Sequence, residues 1–281
     1  MKRTLLGVGK TILGALAFVG GTILGGILAD SLGMTAPALP AGTDAATLGM
    51  YQLLVGLVLA GTLALIARRL AGGFLARWTA LAWLSWVAYS FNTYLEAAIF
   101  TSYEAASPYT LVMQLVSVAL SSAVVAWGFP PVDRGLPLGA RLRAFVVQFS
   151  AAQWAWRLLA ALLAFPVVYV VFGWLARPFV IQYYEQQMAG LTAPGWGQIV
   201  PTLLLRSLFF LLACLPLLVM WQGSRVRLFI TLGSALFVLV GGLYMLQSYW
   251  YPLSMRAVHS LEILADSVVY AGALVTLLAR E

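Results

Sequence analysis

The sequence predicts an all-α membrane protein, a polytopic helical bundle of about eight transmembrane helices with both termini cytoplasmic. Three observations carry that reading. Of 281 residues, 62% are apolar and only 9% are charged. Apolar runs of the ~20 residues needed to cross a bilayer recur along the whole chain. No polar connection between them is much longer than ~20 residues, so residues 1–281 read as a single transmembrane domain. The third observation is charge placement. Lys2, Arg3, Lys10, Arg68, Arg69, Arg77, Arg134, Arg141, Arg143, Arg225, Arg227 and Arg280 fall on one side of an eight-span arrangement. The other side holds Arg177 and Arg256 beside Asp30, Asp44, Glu104 and Glu185. Lysine and arginine accumulate in cytoplasmic loops, which fixes the orientation. A prokaryotic cytoplasmic (inner) membrane is the expected location. Labelling of single cysteines placed after Arg134 and after Glu185 checks the orientation, the first expected inside and the second outside.

The net charge of +7 belongs to short loops and needs no nucleic-acid partner. A single cysteine, Cys214, excludes an intrachain disulfide and a thiolate metal cage, and in its apolar run it reads as a small filler.

In chain order, the first segment covers about 4–33. Gly14, Gly21 and Gly25 share one of its faces, which suits close approach of another helix, within the bundle or as a dimer contact. A Pro/Gly/Thr-rich loop, 35–47, leads to a second segment at 48–66. The third, 78–101, places Ser85, Tyr89, Asn92 and Glu96 at spacings that keep them within roughly 60° on a helix. The fourth, 109–129, carries Gln114, Ser117 and Ser121. An interfacial helix start is expected near 139–150, running into a fifth segment that ends near 174 and is kinked at Pro166. Arg157 would snorkel to the inner interface. Residues 177–198 then read as a large outer loop. The sixth, seventh and eighth segments cover 199–221, 228–249 and 256–278, with Arg206 in the sixth.

The eighth segment opens with Arg256-Ala-Val-His-Ser-Leu-Glu-Ile-Leu-Ala-Asp266 and holds the only histidine. His259, Glu262 and Asp266 fall within roughly 60° of one another on a helix, with Arg256 and Tyr270 bordering that face. Lipid cannot solvate charge, so the face must point at protein or a wet cavity. Along their helices Glu96, Arg206, His259 and Glu262 all sit on the order of 5–12 Å below the outer boundary. Gln114 and Gln247 lie at comparable depth. The expected site is a polar, charge-paired pocket in the outer half, lined by segments three, four, six and eight. Its candidate ligand-binding residues are Asn92, Glu96, Gln114, Arg206, Arg256, His259, Glu262 and Asp266.

Binding or transport of a small polar solute or a lipid headgroup is the function expected of such a pocket, with membrane lipids as partners. An intramembrane enzyme acting on a lipid-linked substrate is the alternative, with His259, Glu262 and Glu96 as candidate catalytic groups. A non-catalytic accessory subunit, packing through the glycine face, is a third. A buried ion pair that only pins the bundle together would use the same residues. Glu96, His259 and Glu262 are the best available metal set, but one histidine and a nearby arginine make it poor, and no metal is favoured. The chain lacks adjacent glutamates and a second histidine, and Ser260 points about 100° away from His259, so neither paired-glutamate nor seryl hydrolysis fits. No cofactor is expected.

Overall fold

The computed structural model describes residues 2–38, 44–101, 107–132 and 136–279. Arg134, Glu104 and Arg280 lie outside the described residues, as do Asp133 and the side chains of Lys2 and Arg3. The described secondary structure is helical, with two isolated bridges and no strand. Helix α1 spans Lys2–Ser31, α2 Ala45–Ala67 and α3 Phe74–Ser85. A π turn, Trp86–Phe91, carries α3 directly into α4, Asn92–Phe100. Next come α5 (Pro108–Gly128), α6 (Leu138–Val146), α7 (Ala151–Glu185) and α8 (Trp196–Met220). Helix α9 (Arg225–Phe237) passes through a second π turn, Val238–Gly242, into α10 (Leu243–Gln247), and α11 (Leu253–Leu278) closes the chain.

Seven helices are long and apolar enough to cross a membrane. The remaining expected crossing is helical from Phe74 to Phe100, but Arg77, Asn92 and Glu96 dilute its apolar character and it is not one of the seven. Contacts fix the direction of each helix. Gly14, Gly21 and Gly25 of α1 meet Val125, Ser117 and Met113 of α5 in that order, so the two are antiparallel. Gly56 and Gly61 of α2 meet Ala15 and Thr11 in the same reversed sense. Arg77 at the start of α3 touches the end of α5, and Gln148 before α7 touches Leu278 at the end of α11. Successive long helices therefore alternate in direction, and α1 begins at the end of the bundle where α11 finishes. That face of α1 is occupied by α5 of the same chain, and no second chain is needed to cover it.

The arginines at this shared end do more than carry charge. Helix C-termini leave carbonyls without intrahelical donors, and a cation there also complements the helix dipole. Arg77, 4% exposed, donates to Phe129 O at 2.9 Å and Ala126 O at 2.7 Å, closing α5. Arg141 donates to Trp221 O at 3.2 Å beyond α8. Arg225 donates to Val275 O at 3.0 Å, and Arg157 to Leu277 O, both on α11. Arg157, expected to snorkel, reaches the end of α11 as a cap with its guanidinium over the rings of Phe149 and Trp156.

Two expected boundaries are corrected. The interfacial helix is a separate element, α6, ending at Val146, and Ser150 starts α7 anew with a capping box to Gln153. Helix α7 does not stop near 174. It runs through Pro166 and Pro178 to Glu185, 35 residues and about 52 Å at 1.5 Å each. Residues 177–185 are therefore helix, and the connection expected to lie outside shrinks to 186–195, with a short 3-10 turn at Met188–Gly190. The tyrosines that read as loop anchor the extension instead: the Tyr183 and Ser254 hydroxyls are 2.8 Å apart, and Tyr184 lies edge-on to Phe100.

Candidate functional site

The half of the bundle away from the arginine-capped end contains an interior cavity of about 110 Å³. Its walls come from α4, α7, α8, the second π turn with α10, and α11. That is room for several water-sized groups. Glu96, Arg206, His259, Glu262 and Asp266 all line it.

Among the described residues, Arg206 is the largest fully buried side chain, 2% exposed. Burial at that depth demands partners, because an uncompensated charge there costs several kcal/mol. Its Nη2 lies 2.6 Å from Glu96 Oε1, and its Nε donates to Asn92 Oδ1 at 2.8 Å. The guanidinium is also stacked 5.0 Å from the ring centre of Tyr169 and 5.1 Å from that of Phe165. Asn92 does not line the cavity. It stands behind Arg206, and its Nδ2 donates to Val240 O at 3.0 Å. Asn92 immediately follows one π turn and Val240 lies inside the other. The wider turn of a π segment reorients the residues around it, and here two such segments meet at the residue that fixes Arg206.

Glu262 is not joined to Arg206. Its Oε2 lies 2.8 Å from His259 Nδ1, one turn away on α11. The site thus consists of two separate pairs, Arg206–Glu96 and His259–Glu262, facing one cavity. Asp266, one further turn along, is 7% exposed, and its Oδ1 has no hydrogen-bond partner in the protein.

Besides Asn92, two further expected ligand-binding residues lie outside the cavity lining. Arg256 turns back along the chain and donates to Met245 O at 2.7 Å and Leu246 O at 3.1 Å, capping α10. Gln114 belongs to α5, which packs on α1 and α3 and contributes no residue to the cavity. Gln247 accepts from the Tyr89 hydroxyl at 3.3 Å. Among the described residues, no three His, Cys, Asp or Glu side chains are grouped so as to hold a metal ion, so Glu96, His259 and Glu262 do not form a ligand set.

What the sequence reading missed is the aromatic wall. Tyr169 and Tyr184 of α7, Phe100, Tyr244 and Tyr251 all line the cavity. It also missed a second space. A groove of about 480 Å³ runs along α7 and the start of α8, lined by Val170, Gly173, Trp174, Val180, Ile181 and Trp196 among others. Trp174 is 71% exposed and Trp196 59% exposed, so the groove opens on the outer surface of the bundle. Cavity and groove share Phe100, Tyr169, Tyr184, His259 and Glu262. Gly173 sits at this junction. A Cβ on it would lie 3.3 Å from Glu262 Oε1, so the missing side chain is what lets the carboxylate face the groove.

The fold and site together define an all-α membrane bundle with a charge-paired interior cavity that meets an apolar surface groove. Compared with known proteins, the chain matches no family model, no curated protein and no solved structure.

Proposed function

We propose that this protein binds a membrane amphiphile, taking its headgroup into the charged cavity and laying its apolar tail along the α7–α8 groove. One observation carries the reading: the polar cavity and the apolar groove share five lining residues, His259 and Glu262 among them. A free polar solute would need only the cavity. A ligand with a polar end and an apolar end uses both, and the groove lies on a surface that lipid would bathe. By the positive-inside rule the site falls in the outer leaflet of a cytoplasmic membrane.

The charged lining supports binding: Glu96 holds Arg206 at 2.6 Å and Glu262 holds His259 at 2.8 Å. The His259–Glu262 pair orients the imidazole, and in a binding site that pair meets the headgroup where it enters.

Gly173→Leu tests the junction. The added side chain would fill the passage beside Glu262 without entering the helix core, so folding should be little changed. Lipid carried through purification of the full chain and counted by native mass spectrometry should fall about tenfold, equivalent to ~1.4 kcal/mol. Retention equal to that of the native chain would exclude the shared passage as the binding route.

A further inference from the structure

We infer that the headgroup taken by this cavity is cationic, an ammonium-bearing group, an inference that rests on the amphiphile reading above. Three carboxylates, Glu96, Glu262 and Asp266, line the cavity against one permanent cation, Arg206. Arg206 is engaged by Glu96 and Asn92 and overlaid by aromatic rings, which leaves only its buried Nη1 without a partner in the protein. The Nδ1 of His259 is engaged by Glu262. Counting His259 as protonated still leaves carboxylates in excess. Asp266 carries that excess: it is 7% exposed, lines the cavity, and its Oδ1 has no partner in the protein.

An unpaired carboxylate at this depth is strongly unfavourable, and a bound cation removes the penalty. The rest of the lining suits the same ligand. Tyr169, Tyr184, Phe100, Phe165, Tyr244 and Tyr251 present aromatic rings around the carboxylates, and ammonium groups are attracted to ring faces. Arg177 lines the groove and not the cavity, and Arg256 is turned to the carbonyls of Met245 and Leu246. A headgroup that entered past His259 would therefore meet negative charge and aromatic faces.

The test uses the purified full chain in dodecyl maltoside, with Trp174 and Trp196 in the groove as fluorescent reporters. Dodecylammonium, dodecanol and dodecanoate are titrated in parallel, together with ethylammonium, which has the charge and no tail. Dodecylammonium is expected to bind about tenfold tighter than dodecanol, with dodecanoate the weakest. Asp266→Asn, a near-isosteric change, should bring dodecylammonium and dodecanol to parity. Equal binding of the two by the native chain would mean that Asp266 is a neutral acid, and would overturn the cationic assignment while leaving the groove reading intact. Retention of the preference in Asp266→Asn would also overturn it. If none of the tailed probes binds, the amphiphile reading itself fails. If ethylammonium binds as tightly as dodecylammonium, the cavity takes a free amine, which keeps the charge assignment and removes the tail. The native-chain comparison decides the question even if the variant does not fold.

Discussion

Replacing Glu96 with alanine is expected to cost about 3–5 kcal/mol of stability, and more than replacing Arg206 with methionine. The order follows from unequal burial of the two partners. Arg206 is 2% exposed and Glu96 32%, so the arginine cannot recover water when its partner is lost. A guanidinium cannot shed its charge either. Glu96, left alone by Arg206→Met, can take up water or a proton. Methionine also keeps most of the volume packed against Phe165, Tyr169 and Phe210, and the expected cost is about 1–3 kcal/mol, largely for the donor lost to Asn92 Oδ1. The double replacement should cost less than the two single losses summed, by about 0.5–3 kcal/mol, because the stranded charge disappears with its partner. Unfolding of the purified chain followed by tryptophan fluorescence measures all three. Strict additivity would show that the pair does not couple, and a costlier Arg206→Met would show that Glu96 is no freer than the arginine it holds.

Depth was legible in the sequence and direction around the bundle was not. Counting residues from a helix end places Glu96, Arg206, His259 and Glu262 at similar levels, because the rise per residue is fixed. The same count puts Gln114 at that level too, yet α5 stands against α1 and α3, away from the cavity. Which helices become neighbours depends on packing between faces, and the polar pattern of one helix does not state it. Arg256 shows a second limit. Its Cα borders the His259 face, but a long side chain reaches the nearest unsatisfied carbonyls, here at the end of α10.

The helices themselves were found from apolar run length, a strong signal where lipid must be matched. It failed at α7, whose last turns carry Tyr183, Tyr184 and Gln182 and read as loop once apolar content dropped. Those turns stay helical because Tyr183 and Tyr184 have partners on α11 and α4. Aromatic residues in a membrane protein read first as an interfacial belt, so Tyr169 and Tyr184 gave no sign of lining a cavity. The π turns were equally silent. Both sit in segments whose composition differs little from ordinary helix, and they matter because Asn92 and Val240 meet there.

Gly21→Leu is expected to destabilise the bundle severely, at or above the ~1–3 kcal/mol usual for overpacking. The neighbour that a side chain would strike is backbone. A Cβ on Gly21 would lie 2.6 Å from Ser117 Cα, and one on Gly25 2.5 Å from Met113 O. No change of rotamer relieves such a clash, so α1 must move away from α5. Little else restrains that movement on its outer side, where Leu16, Ile23, Leu24 and Ile27 are exposed. Separation would also break the contact between the Thr22 and Ser117 hydroxyls, 3.0 Å apart. Even Gly25→Ala should therefore lower the melting temperature. Gly20 supplies the control: it precedes Gly21 in the same helix, and a Cβ there would meet nothing within 4 Å. Gly20→Leu should leave stability nearly unchanged or raise it slightly, since leucine is the better helix former. Comparing the two leucine variants by thermal unfolding separates packing from composition, because each adds the same side chain to the same apolar helix. Equal melting temperatures for Gly20→Leu and Gly21→Leu would mean that α1 does not rest on α5 through its glycines.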